Sequence, residues 1–252
     1  MTEELDQVVV KNRDSRIWFI APLILLMLVL LVSLGTWQWQ RMLWKQELIA
    51  AINERSTAAP ASVQNVEAML ASGADIEYRT VSVKGVFDHA NEQFFFATHE
   101  GQTGYFVYTP FYITEGRVIF VNRGFIPYDM KDEKKRQKGQ VIGEVEVSGL
   151  ARGVLSGKPS VLVPDNEPEK NIYYWKDLGA MADNAGIARR SIVPFFLDAN
   201  GAENPGGLPI GGVTLIDLPN NHLQYAITWF GLALALVFVT AFAYFQRPKR
   251  KH

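Results

Sequence analysis

The chain has 252 residues, 48% hydrophobic and 12% aromatic, with 25 Lys and Arg against 26 Asp and Glu and no cysteine. This apolar, nearly neutral composition excludes a mainly disordered chain, a strongly basic nucleic-acid binder and a disulfide-stapled scaffold. The missing thiols also exclude thiolate metal sites, iron–sulfur clusters, covalently attached c-type haem and a cysteine nucleophile, so metal chemistry must use the four histidines, methionines or carboxylates.

Residues 17–37 run for 21 positions without a charge. At 1.5 Å rise per residue they make about 31 Å of helix, enough to cross a hydrocarbon core. Lys11, Arg13 and Arg16 precede this run as they would in a cleavable signal. The run is too long for one, and it closes on Gly35-Thr36-Trp37-Gln38-Trp39 with no small-x-small site, so it reads as an uncleaved anchor. The acidic start, Glu3, Glu4 and Asp6, argues against a mitochondrial transit peptide.

Helical spacing of Leu43, Leu48, Ile49 and Ile52 carries the first helix on to about residue 59, where Pro60 stops it. A short helix is predicted over 62–71. The period then changes to two, and strands are predicted over 78–87, 92–98, 104–113, 117–125 and 144–150, with Glu115-Gly116 as a hairpin turn. The lysine-rich stretch 132–138 reads as a solvated loop rather than a binding patch. Trp175, Leu178 and Met181 are spaced for one helix face, which predicts a helix over 173–185. Late strands are expected at 195–197 and 213–216, separated by a Gly/Pro-rich loop over 201–212. Residues 223–245 form a second uncharged run of 23.

The expected fold is therefore a membrane protein of the α+β class. Two antiparallel transmembrane helices flank an outward domain with an antiparallel sheet or small barrel and short helices. Around the first span the cations tie, Lys11, Arg13 and Arg16 against Arg41, Lys45 and Arg55. Arg247, Lys249, Arg250 and Lys251 follow the second span, and no Lys or Arg lies between residues 191 and 246, which predicts cytoplasmic termini. The expected plan is a cytoplasmic tail 1–16, a span 17–37, an extracytoplasmic domain 38–221, a span 222–246 and a basic tail 247–252. Residues 38–221 carry 18 basic and 22 acidic side chains, and a net charge of -4 argues against binding nucleic acid or an anionic membrane surface.

Common catalytic signatures are absent: there is no G-x-S-x-G, Walker loop, G-x-G-x-x-G after a strand or H-E-x-x-H. His89 and His99 read as loop histidines. His222 is different, because it stands at the start of the second span, where Asn220 or Asn221 could cap the helix. His222, Tyr225, Ala226, Trp229 and Ala233 follow in steps of three and four and share a face. On the first helix, Trp37, Arg41, Trp44, Lys45 and Leu48 share another. Such faces could hold a flat apolar cofactor, with an imidazole as axial ligand to haem iron and Arg41 and Lys45 near its propionates. An interfacial belt of amphipathic side chains, with the cations reaching lipid phosphates, explains the same spacing, and both readings stay open at this point.

Four stretches carry a resemblance: Leu34-Gly35-Thr36-Trp37-Gln38-Trp39-Gln40-Arg41 with Trp44-Lys45; the strand from Tyr78-Arg79 through Val81, Val83 and Gly85 to Phe87; Val121-Asn122-Arg123-Gly124-Phe125-Ile126-Pro127; and Asn220-Asn221-His222-Leu223-Gln224-Tyr225-Ala226, continuing through Thr228-Trp229-Phe230-Gly231-Leu232. In order and together they resemble the surfeit locus protein family, assembly factors for cytochrome c oxidase. The resemblance implies a non-enzymatic chaperone of the respiratory chain in a bacterial inner membrane, or less readily a mitochondrial one. It would bind haem a transiently and help insert it into the catalytic oxidase subunit, with haem a synthase as a further partner. His222 matches the position to which haem a binding is attributed. Trp37, Arg41 and Tyr225 match as a shared site, and Phe125 stands where many relatives carry Trp or Tyr. A scaffold that binds no haem is the alternative. An enzyme acting on haem or lipid is disfavoured, because no acid, base and nucleophile set can be assembled. Gly85 and Gly124 are expected at positions that demand a bare backbone, and Arg79 and Arg123 to brace the sheet, with a docking surface as the alternative.

Overall fold

The computed structural model describes residues 2–214 and 218–246, with side chains from residue 20 onward. The cations expected to set orientation, Lys11, Arg13, Arg16 and those of the 247–252 tail, lie outside the described side chains. The chain divides into two compact units, residues 51–217 and the pair of segments 1–50 and 218–252.

The first unit is built on a six-stranded sheet: β1 (Thr80–Phe87), β2 (Gln93–His99), β3 (Gln102–Tyr112), β4 (Val118–Pro127), β5 (Glu144–Arg152) and β6 (Ile192–Ala199). The order is β1-β5-β6-β4-β3-β2, and β1 also meets β3 through Val86 opposite Tyr112 and Phe87 opposite Phe111. Five strands thus close into a small barrel with no free edge between them, while β2 extends the other half of β3. Closure demands close backbone approach. A Cβ on Gly85 would stand 2.2 Å from Tyr112 O, and Gly124, at φ +123°, would place one 1.8 Å from Ile210 O. Both glycines thus occupy the bare-backbone positions expected of them. The Glu115-Gly116 turn also forms as read, with both residues at positive φ.

Two readings need correction. The β4–β6 pairing is parallel, so the sheet is mixed, because the long connection from residue 127 to 192 returns the chain in the same direction. The helix expected over 173–185 is only Leu178–Asn184. Tyr173 instead bridges to Phe95, Asn166 Oδ1 accepts from the Tyr174 and Trp175 amides, and Asp177 caps the helix by accepting from Ala180 N. Helical spacing of Trp175, Leu178 and Met181 survived, but an extended partner claimed the first five residues. At 213–216, Val213 and Thr214 are not in a strand, and Leu215 and Ile216 lie outside the described residues.

β4 is buried along nine of its ten residues. Ile119 and Val121 face a cluster with Val81, Phe111, Phe195 and Leu197, closed by the short helix Val63–Ala71. Val118 and Phe120 face the opposite cluster with Tyr108, Tyr173, Met181 and Phe196. A strand covered on both faces must be apolar on both, as in Val118-Ile119-Phe120-Val121.

The second unit pairs two helices. One belongs to the first helix, α1 (Thr2–Thr57), and the other is α4 (His222–Phe245), with α2 and α3 being Val63–Ala71 and Leu178–Asn184. Both α1 and α4 are long and apolar enough to cross a membrane. Their flanks stay uncovered, with Leu23, Leu25, Phe238 and Val239 each more than half exposed, as lipid-facing side chains would be.

Candidate functional site

The seam between α1 and α4 is set by small residues. On α1 the covered positions are Leu31, Gly35, Gln38, Met42 and Lys45; on α4 they are His222, Ala226, Trp229 and Ala233. Both series step by four and three, the spacing of two helices packed along a shallow crossing. Gly35 lets the backbones close, since a Cβ there would come 2.7 Å from the Phe230 ring. No flat macrocycle fits between the helices at that level.

Polar contacts pin the start of α4. Lys45 Nζ donates to Pro219 O, Asn220 Nδ2 to Met42 O at 3.2 Å, and His222 Nδ1 to Gln38 Oε1 at 2.7 Å. Partner numbers rise on α1 as they fall on α4, so the helices run antiparallel. The expected asparagine cap does not form: Asn221 holds the cap position without a side-chain hydrogen bond, and Asn220 is spent on α1.

The histidine contact has chemical consequences. With Gln38 Oε1 accepting from Nδ1, the proton of a neutral ring resides there and Nε2 keeps its lone pair. Among the described residues, nothing donates to Nε2. Gln38 thus holds the ring in one orientation with one nitrogen ready for a metal. The sequence reading passed over Gln38. Its signal was there, since Gly35, Gln38, Met42 and Lys45 repeat by three and four through the aromatic stretch.

The other predicted residues divide between seam and flank. Lys45 and Trp229 lie in the seam, half-covered; Trp37, Tyr225 and Arg41 are exposed, and the Arg41 guanidinium stacks on Trp44 at 3.9 Å. At 100° per residue, Trp37, Arg41 and Trp44 fall to one side of the α1 seam and Tyr225 to one side of the α4 seam. Because the helices are antiparallel, these are the same side. Trp37, Arg41 and Tyr225 therefore line the same flank of the helix pair, while His222, Lys45 and Trp229 lie in its seam at levels on either side of and at the Gln38–His222 contact. Together these six residues supply one imidazole, three aromatic rings and two cations.

The barrel holds a separate polar cluster. Glu92, 3% exposed, meets Arg136 and Arg123, and His89 Nδ1 lies 3.3 Å from it. Burial alone would push the Glu92 carboxyl up, but His89, Arg136 and Arg123 outweigh burial and hold it below the usual range. Burial pulls Arg123 down to about 10 against the pull of Glu92, which leaves it protonated at neutral pH. Arg123 Nη2 also donates to Gly139 O and to Asn204 Oδ1. The bracing role expected of Arg123 is what the barrel exhibits. Arg79 makes a weaker contact, to Ala59 O at 3.4 Å. Among the described residues, no three His, Cys, Asp or Glu side chains converge as a metal site.

Sequence comparison decides the family. A model described as the SURF1 family matches residues 25–234, which take in the whole barrel and parts of both helices. The chain belongs to the SURF1 family. It is 38% identical to surfeit locus protein 1 of Homo sapiens over 246 residues, covering 91% of this chain and 77% of the human one. It is 36% identical to surfeit locus protein 1 of Takifugu rubripes, covering 87% of this chain and 92% of the relative. A SURF1-like protein of Drosophila melanogaster is 31% identical over 242 residues.

Proposed function

We propose that this SURF1-family chain is a non-enzymatic assembly factor for cytochrome c oxidase that holds haem a on His222 and assists its insertion into the catalytic oxidase subunit. The observation that carries the reading is the His222 ring, held through Nδ1 by Gln38 with Nε2 left over, on a helix pair whose one flank carries Trp37, Arg41 and Tyr225. When bound, haem a supplies an iron that accepts one imidazole nitrogen, a broad apolar face and anionic propionates. This chain would meet these with Nε2 of His222, with Trp37, Tyr225 and Trp229, and with Arg41 and Lys45. Trp37, Arg41 and Tyr225 stay exposed on their flank, which suits a carrier, since cargo that leaves too slowly cannot be delivered.

In this reading the helices anchor the chain in a bacterial inner membrane, with cytoplasmic termini and the barrel outside. Lipid contacts their flanks, the barrel docks on the oxidase subunit, and haem a synthase is the source of cargo.

The test is an absorption spectrum of the full chain purified from cells that make haem a, beside His222→Ala. A Soret band in the parent and its loss in the variant are expected. A band that is missing, or unchanged in the variant, removes the carrier mechanism and leaves a haem-free scaffold.

A further inference from the structure

β5 is longer than the pairing that joins it to β6. Residues 149–152 pair with β6, and Asn200 N, just past the end of β6, donates to Ser148 O at 3.0 Å. From there to Glu144 the strand runs on with β1 as its one partner among the described residues. The closed barrel thus carries an overhang over residues 144–147.

Alternation along the strand decides which backbone groups the overhang leaves open. Ser148 O faces β6, so the N–H and C=O of Glu146 and Glu144 point to that same side. Ala151 bonds to Tyr78 and Arg79 on the opposite side, which puts the backbone groups of Val147 and Val145 toward β1. Among the described residues, nothing pairs with the backbone of Glu146 or Glu144 on the open side.

A cleft of about 250 Å³ lies along this edge. Phe87, Val141, Val145 and Val147 give it an apolar lining that continues the barrel core, and residues 202–205 complete it. Arg123 also lines it, but that guanidinium is spent on Glu92, Gly139 and Asn204. The exposed charges are acidic. Glu144 and Glu203 have no ion pair among the described residues, while Glu146 accepts from Ser82 and lies 3.9 Å from exposed Lys84.

An open strand edge above an apolar cleft is a template for one more strand. An extended chain would satisfy the row of edge groups and lay every second side chain over Val145 and Val147. Its other side chains would stand beside Glu144 and Glu146, where cations are favoured. A second copy of this edge is disfavoured, since pairing it with itself sets glutamate against glutamate. We propose that the β5 overhang takes up an extended segment of a partner protein as an added strand, and that this segment alternates apolar with cationic side chains. The inference concerns the barrel alone and stands apart from haem binding at His222.

The experiment titrates the full chain, in uncharged detergent and without haem, into a fluorescein-labelled ten-residue peptide of alternating valine and lysine, followed by anisotropy. Saturable binding is expected, with slowed hydrogen exchange over residues 144–148. Glu146→Pro is the deciding variant. Its nitrogen faces away from β1, so the β1–β5 ladder stays intact while the edge loses a donor and gains a ring. Binding should weaken roughly tenfold or more, against roughly threefold at most for Glu146→Gln, which removes the charge and keeps the backbone. Should the proline variant not fold, judged by its unfolding midpoint, a fully N-methylated peptide tests the same backbone bonds on the parent chain and should not bind. The proposal is overturned by no saturable binding, or by undiminished binding of the proline variant or of the N-methylated peptide. Equal binding of a peptide with the same residues in two blocks would overturn it by reducing the contact to charge. Dimerisation of the full chain that Glu146→Pro abolishes would overturn it by giving the edge to a second copy.

Discussion

Inside the barrel unit, Glu92, Arg123 and Arg136 are each at most 5% exposed and ionised against one another, beneath aromatic clusters that bury Tyr108, Phe111, Phe120 and Phe196 completely. In the helix pair the covered positions are Leu31, Gly35, Met42, Ala226 and Ala233, and the large aromatics Trp37, Trp44 and Tyr225 face outward. The barrel must be stable by its own packing, with no disulfide, so it spends its charges on bracing. The helix pair, with lipid expected on its flanks, needs only a narrow small-residue seam, and its one oriented imidazole is left with a nitrogen to spare. Buried polar groups therefore brace the fold in the barrel, whereas in the helix pair a half-buried imidazole keeps one nitrogen unpaired.

Five changes sharpen that contrast. The largest effect belongs to Gly124→Val, which combines a positive φ with a Cβ 1.8 Å from Ile210 O. It should cost about 4 kcal/mol or more and abolish the folded barrel, read by chemical denaturation. Glu92→Ala leaves two buried guanidiniums unpaired and should cost about 3–5 kcal/mol on the same assay. The pH dependence gives a second reading of this site. The folded pKa of Glu92 lies below the 4.5 of an ordinary glutamate. Its contribution is therefore complete above that pH and is lost as pH falls through the lower folded value, so Glu92→Gln should flatten the acid limb of the stability profile. A barrel whose acid limb is unchanged by this substitution would contradict the bracing role.

In the helix pair the effects are smaller on stability and larger on cargo. Gly35→Val drives a side chain into the Phe230 ring and should loosen the pair by about 1–3 kcal/mol, seen as faster proteolysis within the spans. Gln38→Leu removes only the contact that orients His222. Stability should change by no more than about 1 kcal/mol, while haem a affinity should fall roughly 10–100-fold, as for other supports of metal-ligating histidines.

Much of this was legible in the sequence. The two uncharged runs, the period-two segments and the Glu115-Gly116 turn placed α4, β1 to β5 and the C-terminal end of α1 within a few residues, although α1 begins at Thr2 rather than at residue 17. The parallel β4–β6 pairing was not legible, because its register depends on a long connection rather than on local pattern. The extended Tyr173–Trp175 segment was hidden for a related reason: its partner, Phe95, is distant in sequence and overrode a helical spacing. At the candidate site, periodicity put His222, Tyr225 and Trp229 on one helix face and Trp37, Arg41 and Lys45 on another, and antiparallel pairing brings Trp37, Arg41 and Tyr225 to one flank. Periodicity alone implied two facing walls, whereas close packing at Gly35 leaves no slot between the helices at that level. The Glu92 cluster was invisible in advance, since His89, Glu92, Arg123 and Arg136 meet only once the barrel closes.

The most direct measurement of the central claim is haem a titration of full-length His222→Gly with and without added imidazole, followed at the Soret band. If Nε2 of residue 222 is the ligand, the variant should bind at least tenfold more weakly and free imidazole should restore the parent spectrum. Binding by the glycine variant that equals the parent and ignores imidazole would show that the oriented ring is not what holds the haem.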